Sequence, residues 1–297
     1  MEFRLEMKIL VTGSSGLIGT QLIKDLVEKK FDVYSSYHKI KPEFGKPIKM
    51  DISNEEEIIN TLKKIKPNVI VHLAALTDVD KCENHKKLAL SINARATKIL
   101  SRESKNQEIF FIYLSTDYVF DGKFSYKKEN DIPNPLNFYG KSKLLGEISI
   151  QDFNPKYLII RISTPFGNHK LKKTFPIWVK ENLELQKEIS ILNDQYTTPI
   201  FVPELTKMII ELMEKQITGI IHLAGTQRIS RYDFALIIAD QLKLDKKLLK
   251  VINLNEINFI AKRPNDSSLD ISLAKKILNS KTSELKNNLK ILFSNKL

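Results

Sequence analysis

Cysteine occurs once in the 297 residues, at Cys82, and tryptophan once, at Trp178. A single thiol forms no internal disulfide and builds no thiolate metal cluster, which agrees with a reducing compartment. The five histidines contain no His-x-x-x-His pair or other ligand spacing, which argues against a zinc or iron site. No apolar run approaches the roughly 18 residues that a membrane span needs. The lead 1–7 is short and charged and lacks the apolar stretch of a signal peptide. The expectation is a globular protein kept in the cytoplasm, with no membrane partner. There is no internal repeat or low-complexity tract, so two domains would be interleaved without a flexible linker.

What the sequence has in excess is lysine, giving a formal charge of +12. The cations are scattered as Lys63-Lys64, Lys86-Lys87, Lys127-Lys128, Lys172-Lys173, Lys246-Lys247 and Lys275-Lys276. No basic stretch interleaves with aromatics as single-strand binding wants. The charge therefore reads as solvated faces with a contribution from phosphorylated substrates, and no nucleic-acid partner is expected. With 42% hydrophobic residues the chain can bury a large core.

Apolar runs and helical periodicities alternate from the start. Strands are predicted at 8–11, 32–37, 47–50, 69–74, 109–114, 157–160 and 220–223. Their continuous apolar character suits strands covered on both faces. A helix follows 13–19 with Ile18, Leu22, Ile23, Leu26 and Val27 on one face. Ser53 with Glu56 reads as a capping box. The rhythm changes after Arg161, and 163–173 with its proline, glycine and lysines is an excursion from the sheet, followed by helices near 175–186 and 203–215 and a helix-rich remainder from 230. The expected fold is α/β, a Rossmann-type doubly wound parallel sheet with a smaller, interleaved helix-rich substrate domain. The dinucleotide domain is predicted at 1–164 and 195–223, and the substrate domain at 165–194 and 224–297.

Gly13, Gly16 and Gly19 fall between a strand and a helix, where a tight turn lets a pyrophosphate approach backbone amides at the positive end of the helix. A turn requirement alone would also explain glycines there. The end of the second strand reads Ser35-Ser36-Tyr37-His38-Lys39, without the carboxylate that holds the ribose of NAD. Hydroxyls and a cation suit a 2′-phosphate, so NADPH is favoured with NADH as the alternative. Lys39 is otherwise a solvated loop lysine, and Asp51 is otherwise a helix-opening residue. Tyr139 and Lys143 are four apart on a predicted helix, so an ammonium beneath the phenol would draw its pKa down. Such a phenol exchanges a proton with a carbonyl or alcohol while a nicotinamide exchanges hydride. Ser115 and Thr116 end the fifth strand at the sheet's carboxyl edge, where a hydroxyl could hold the same oxygen or merely cap a turn. Asn93 is an unfavourable residue mid-helix and hints at a special hydrogen bond.

These residues resemble an extended short-chain dehydrogenase/reductase. The similarity rests on Thr12-Gly13-Ser14-Ser15-Gly16-Leu17-Ile18-Gly19, Asp51, His72-Leu73-Ala74-Ala75, Asn93, residues 115–122 and 139–143. Within that superfamily the chain resembles the dTDP-4-dehydrorhamnose reductases, on the further segments 77–83, 193–199, 222–225, 230–235 and Arg263-Pro264, from Met7 onward. The resemblance implies Tyr139 as general acid, Lys143 on the nicotinamide ribose and lowering the phenol's pKa, and Thr116 polarising the substrate carbonyl. It implies dinucleotide binding by Gly13, Ser15, Gly16, Leu17, Ile18, Gly19, Tyr37, His38, Lys39, Asp51, Ile52, Ala74, Ala75 and Asn93, together with Tyr139 and Lys143. Thr77, Val79, Thr116, Tyr118 and Arg263 would face the substrate, a nucleotide-linked 4-keto deoxysugar reduced at C4, with a homodimer compatible with the reading. Many family members carry tryptophan where this chain has Thr164. The regulatory β-subunit of methionine adenosyltransferase, a binding partner, shares the patterns of 117–122 and 131–141.

Overall fold

The structure, a computed structural model, describes residues 7–294. The lead at 1–6 and the outermost ends of the two expected domain ranges lie outside the described residues. Seven strands form one parallel sheet: β1 (Lys8–Thr12), β2 (Asp32–Tyr37), β3 (Lys46–Lys49), β4 (Val69–His72), β5 (Phe110–Thr116), β6 (Tyr157–Ile162) and β7 (Gly219–Leu223). Their order is β7-β6-β5-β4-β1-β2-β3. The strand order reverses between β1 and β4, which opens a crevice at the carboxyl edge of the sheet. Register sets Val11 beside Ser35 and Thr12 beside His72, and Thr116 beside Ile162.

The labelled helices are α1 (Leu17–Glu28), α2 (Glu55–Ile65), α3 (Ala96–Asn106), α4 (Phe138–Phe153), α5 (Phe175–Glu184), α6 (Val202–Glu214), α7 (Arg231–Leu242) and α8 (Leu285–Phe293). Successive strand residues point to opposite faces, so Ile9 and Val11 meet Leu22, Ile23, Leu205 and Ile209 from α1 and α6, while Leu10 and Ile70 meet Ile58, Leu62 and Ile99 from α2 and α3. Burying each such side chain contributes about 1.5–3 kcal/mol, which is why both strand faces are apolar. A separate core gathers Val179, Leu183, Phe234, Ile238 and Leu289 from α5, α7 and α8, with Phe166 from the short strand Pro165–Phe166, around a short parallel pair, Ile189–Leu192 with Leu249–Ile252. Leu269, Ile271, Ala274 and Leu278 fall within the expected range 224–297, and they pack into the core against the sheet.

Two local expectations change. The cap of α2 is Asn54, whose Oδ1 accepts from the amides of Glu56 and Glu57 at 3.0 and 3.3 Å. Ser53 is not available for that role, because its amide and hydroxyl both donate to Asp51 Oδ1 at 2.8 Å. Asn93 lies in a π-helical turn, Leu90–Arg95, between the helices of this segment. Such a turn aims a side chain away from the regular helical ladder.

Candidate active site

The glycine turn between β1 and α1 has the local chemistry of an anion cradle. Gly13 has φ +68°, and a Cβ there would lie 2.7 Å from the amide nitrogen of Ala74. The turn therefore presses against the loop after β4 in a way no side chain allows. Helix α1 begins after Gly16 with no side-chain cap and no acidic residue in its first turn. Its first amides and its positive end are thus uncompensated, which fits a dinucleotide pyrophosphate.

At the end of β2 the expected donors are fewer than the sequence suggests. The Ser35 hydroxyl donates to Phe44 O at 2.9 Å, and Ser36 is buried. His38 Nδ1 lies 3.3 Å from Asp51 Oδ2. Partial burial works against the Asp51 charge, but hydrogen bonds from Ser53 and the nearby His38 outweigh it and hold that carboxyl below its ordinary range. Lys39 is exposed, Tyr37 is half-buried beside it, and Ile52 lies partly covered next to Asp51. Ala74 and Ala75 lie half-buried in the loop after β4, which presses against the glycine turn, and the Ala74 amide donates to Thr12 Oγ1 at 3.2 Å.

Helix α4 carries the expected acid and its lysine. Asn137 caps it through Oδ1, which accepts from the Gly140 amide at 2.9 Å, and Glu83 Oε2 accepts from the Phe138 amide at 2.9 Å. The Tyr139 side chain comes close enough to Thr116, at the end of β5, for the two hydroxyls to influence each other. The Tyr118 ring meets the Tyr139 ring edge-on, with centroids 6.0 Å apart. Thr116 Oγ1 also donates to Asp117 Oδ1 at 3.0 Å and accepts from the Tyr118 amide at 3.2 Å.

Lys143 departs from its expected place beneath the phenol. Its Nζ donates to Leu114 O at 2.7 Å and sits 4.0 Å over the Tyr113 ring. Burial pulls its pKa down to about 7, against the attraction of Glu147 and the influence of Cys82. The phenol of Tyr139 is accordingly not drawn down. Burial holds it above its ordinary value, with the charges of Asp117 and neighbouring groups adding to that and the Thr116 hydroxyl opposing it. A phenol kept protonated is the form that a proton donor needs.

Asn93 is 1% exposed, and its amide braces the site. Oδ1 accepts from the Leu76 amide at 2.8 Å, while Nδ2 donates to Leu76 O at 3.0 Å and to Ser142 Oγ at 2.9 Å. Ser142 in turn donates to Tyr139 O at 2.8 Å, so the loop after β4 is tied to the helix turn bearing the phenol. One turn below Lys143, the buried carboxylate of Glu147 accepts from Ser115 and from Arg161, whose Nη2 is 2.7 Å away. Removing Arg161 or Glu147 would strand the buried charge of the other.

Of the residues expected to face the substrate, Thr77 is exposed, Val79 opens the short helix Val79–Asn84, Tyr118 lies in the turn Asp117–Val119, and Arg263 is occupied elsewhere. Arg263 Nη2 donates to Asp80 Oδ2 at 2.8 Å and Nη1 to Ala261 O at 3.1 Å, with the guanidinium 5.0 Å over the Phe259 ring. Arg228 is likewise bound by Asp266 at 2.7 Å. Arg231, which was not among the expected site residues, opens α7 half-buried near the turn after β5. Its Nη2 donates to Thr164 Oγ1 at 3.4 Å, and its charge acts on both Asp117 and Tyr118. Thr164 has φ +40° and shares a 2.6 Å hydroxyl contact with Thr197. An arginine in the first turn of a helix is disfavoured by the macrodipole, and that misplaced charge was the available signal.

A family model described as RmlD substrate binding domain matches residues 7–296. The chain is 35% identical over 280 residues to a dTDP-4-dehydrorhamnose reductase from Aggregatibacter actinomycetemcomitans, covering 89% of this chain and 91% of that one. It is 30% identical over 273 residues to methionine adenosyltransferase 2 subunit beta from Danio rerio, covering 89% and 83%. The structure of dTDP-4-dehydrorhamnose reductase from Bacillus anthracis in complex with NADP aligns with a TM-score of 0.87 at 27% identity, covering 97% of this chain and 99% of that chain. With its parallel sheet, glycine turn and Tyr139/Lys143 helix, and a family match over residues 7–296, the chain belongs to the RmlD substrate-binding-domain family.

Proposed function

We propose that this protein is an NAD(P)-dependent oxidoreductase that reduces the C4 keto group of a nucleotide-linked deoxysugar, with dTDP-4-dehydro-6-deoxy-L-mannose as the substrate and NADPH as the preferred cofactor. The observation that carries the reading is the approach of the Tyr139 and Thr116 side chains to one another at the carboxyl edge of β5. Two donors meeting at one point suit a single carbonyl oxygen. A nicotinamide dinucleotide held by 13–19, Ala74, Ala75 and Lys143, with Lys39 toward a 2′-phosphate, would supply hydride.

In this reading Tyr139 gives its proton to the carbonyl oxygen. Thr116 donates a hydrogen bond to the same oxygen by rotating its hydroxyl away from Asp117. Lys143, with a pKa near 7, is poised to carry positive charge toward the phenolate that remains, once its ammonium leaves Leu114 O. Arg231 is the cation for the substrate's diphosphate, because Arg263 and Arg228 are held by Asp80 and Asp266. Thr164 leaves the wall beside the sugar smaller than a tryptophan would, and it ties that wall to Arg231. The test is NADPH oxidation by the purified protein across a panel of nucleotide-linked 4-keto sugars, with the free sugars as controls.

A second reading is a non-catalytic subunit of an adenosyltransferase assembly, favoured by the 30% identity to the Danio rerio β-subunit. It requires no turnover and a stable complex with an adenosyltransferase. The presence of Tyr139, Lys143 and Thr116 supports the enzyme instead.

A further inference from the structure

The segment 168–173, Asn-His-Lys-Leu-Lys-Lys, runs from the short strand ending at Phe166 to α5, both of which pack in the smaller core. Its base is closed by Thr174 Oγ1, which donates to Gly167 O at 2.9 Å. Three side chains then reach three separate parts of the carboxyl edge. His169 Nε2 lies 3.1 Å from Ser15 O on the glycine turn. Lys170 Nζ pairs with Glu43 in the loop between β2 and β3. Lys172 Nζ lies 3.5 Å from Thr77 Oγ1 in the loop after β4. Those three loops border the groove assigned above to the dinucleotide, so this one basic segment spans it.

The tautomer of His169 follows from its second contact. Nδ1 accepts from the Leu171 amide at 3.3 Å, so Nε2 carries the hydrogen and points it at the glycine turn. A phosphate oxygen in that turn would be a stronger acceptor than the Ser15 carbonyl, because a charge-assisted bond is roughly twice as strong as a neutral one. The same holds for Lys172, whose contact with a threonine hydroxyl is long. Lys173, by contrast, turns back to its own lobe and pairs with Glu181 at 2.6 Å. The exposed pairs contribute little, so the segment can shift when a better acceptor arrives.

We propose that 168–173 is a clamp contributed by the smaller lobe, in which His169 and Lys172 bind the phosphates of the dinucleotide. The clamp rests on the dinucleotide reading of the groove. It makes release of the dinucleotide depend on the segment lifting, and a bound dinucleotide would hold the exposed segment too rigidly to enter the trypsin active site.

The test uses the full chain and NADPH, with two readouts that do not need turnover. Saturating NADPH is expected to slow tryptic cleavage after Lys170, Lys172 and Lys173 several-fold. The double variant His169→Ala/Lys172→Met is expected to bind NADPH about tenfold more weakly by fluorescence titration, the scale of one charge-assisted contact. Lys173→Met removes the same charge from the same segment and should leave the Kd unchanged. Cleavage that is indifferent to bound NADPH, or a double variant within about twofold of the parent, would overturn the clamp. Failure of the parent chain to bind NADPH at all would sink the dinucleotide reading and the clamp with it.

Discussion

Gly140 lies so close to Tyr118 that a Cβ on it would stand 2.1 Å from the Tyr118 carbonyl oxygen. This contact seats helix α4 on the turn after β5, and thereby brings the Tyr139 hydroxyl to Thr116. Alanine at 140 must push the two apart, which should cost about 1–3 kcal/mol of stability by urea unfolding. Turnover should fall more steeply than stability suggests, since a shift of about 1 Å at reacting groups can cost about 100-fold. A Gly140→Ala protein with parental kcat would show that the packing does not set the phenol's position.

Arg263 and Arg231 should separate cleanly on mutation. Arg263→Ala leaves Asp80 Oδ2 without its cation, though Oδ1 still accepts from the Ala261 amide, and is expected to lose about 1–3 kcal/mol of stability while keeping the preference for nucleotide-linked over free sugar. Arg231→Ala should raise KM for the nucleotide-linked substrate and shrink that preference, because binding energy from the remote diphosphate is lost. The opposite pattern would return the phosphate role to Arg263.

Acid should unfold this protein through its interior histidines. Burial pushes His72 and His222 down to about 3 from an ordinary value of 6.5, with Lys143 adding to the first and Arg161 to the second. Below 6.5 the unfolded chain takes up protons that the folded chain refuses. Their contribution is therefore complete above 6.5 and is lost as pH falls toward 3. Denaturant midpoints measured across that window should decline with a slope approaching one proton per histidine. His72→Gln should flatten the decline, and an unchanged slope would exclude His72 as a cause.

Cofactor choice should follow Lys39. NADPH is expected to exceed NADH in kcat/KM, and Lys39→Ala should narrow the margin without improving NADH. Added salt should narrow it too, because the lysine is exposed and its attraction to a phosphate is screened over about 10 Å at 0.1 M ionic strength. A margin that survives both changes would place the selectivity elsewhere, at His38 or Tyr37.

Much of this architecture was legible in the sequence because its signals are local. Continuous apolar runs marked strands with two covered faces, and β2 begins and ends where the pattern placed it. Gly13 and Gly16 announced the turn. The misfit of Asn93 in a helix anticipated its bonds to Leu76 and Ser142, although not the π-turn that aims it. What could not be read was pairing across distance. Asp80 claims Arg263 across 183 positions, His169 meets Ser15 across 154, and Leu114 O takes the Lys143 ammonium that helical spacing alone assigned to Tyr139. Spacing on a helix fixes a face, whereas the partner on that face is set by whichever strand packs against it.

Tyr139 carries the proposed chemistry most directly. NADPH oxidation with a nucleotide-linked 4-keto deoxysugar should be compared in the parent and in Tyr139→Phe, with NADPH affinity measured in both. The expected result is turnover by the parent, a loss of about 100-fold or more in the variant, and an unchanged NADPH Kd, because only the proton donor has gone. A variant that keeps most of its kcat, or a parent that reduces none of the nucleotide-linked sugars while binding NADPH, would contradict it.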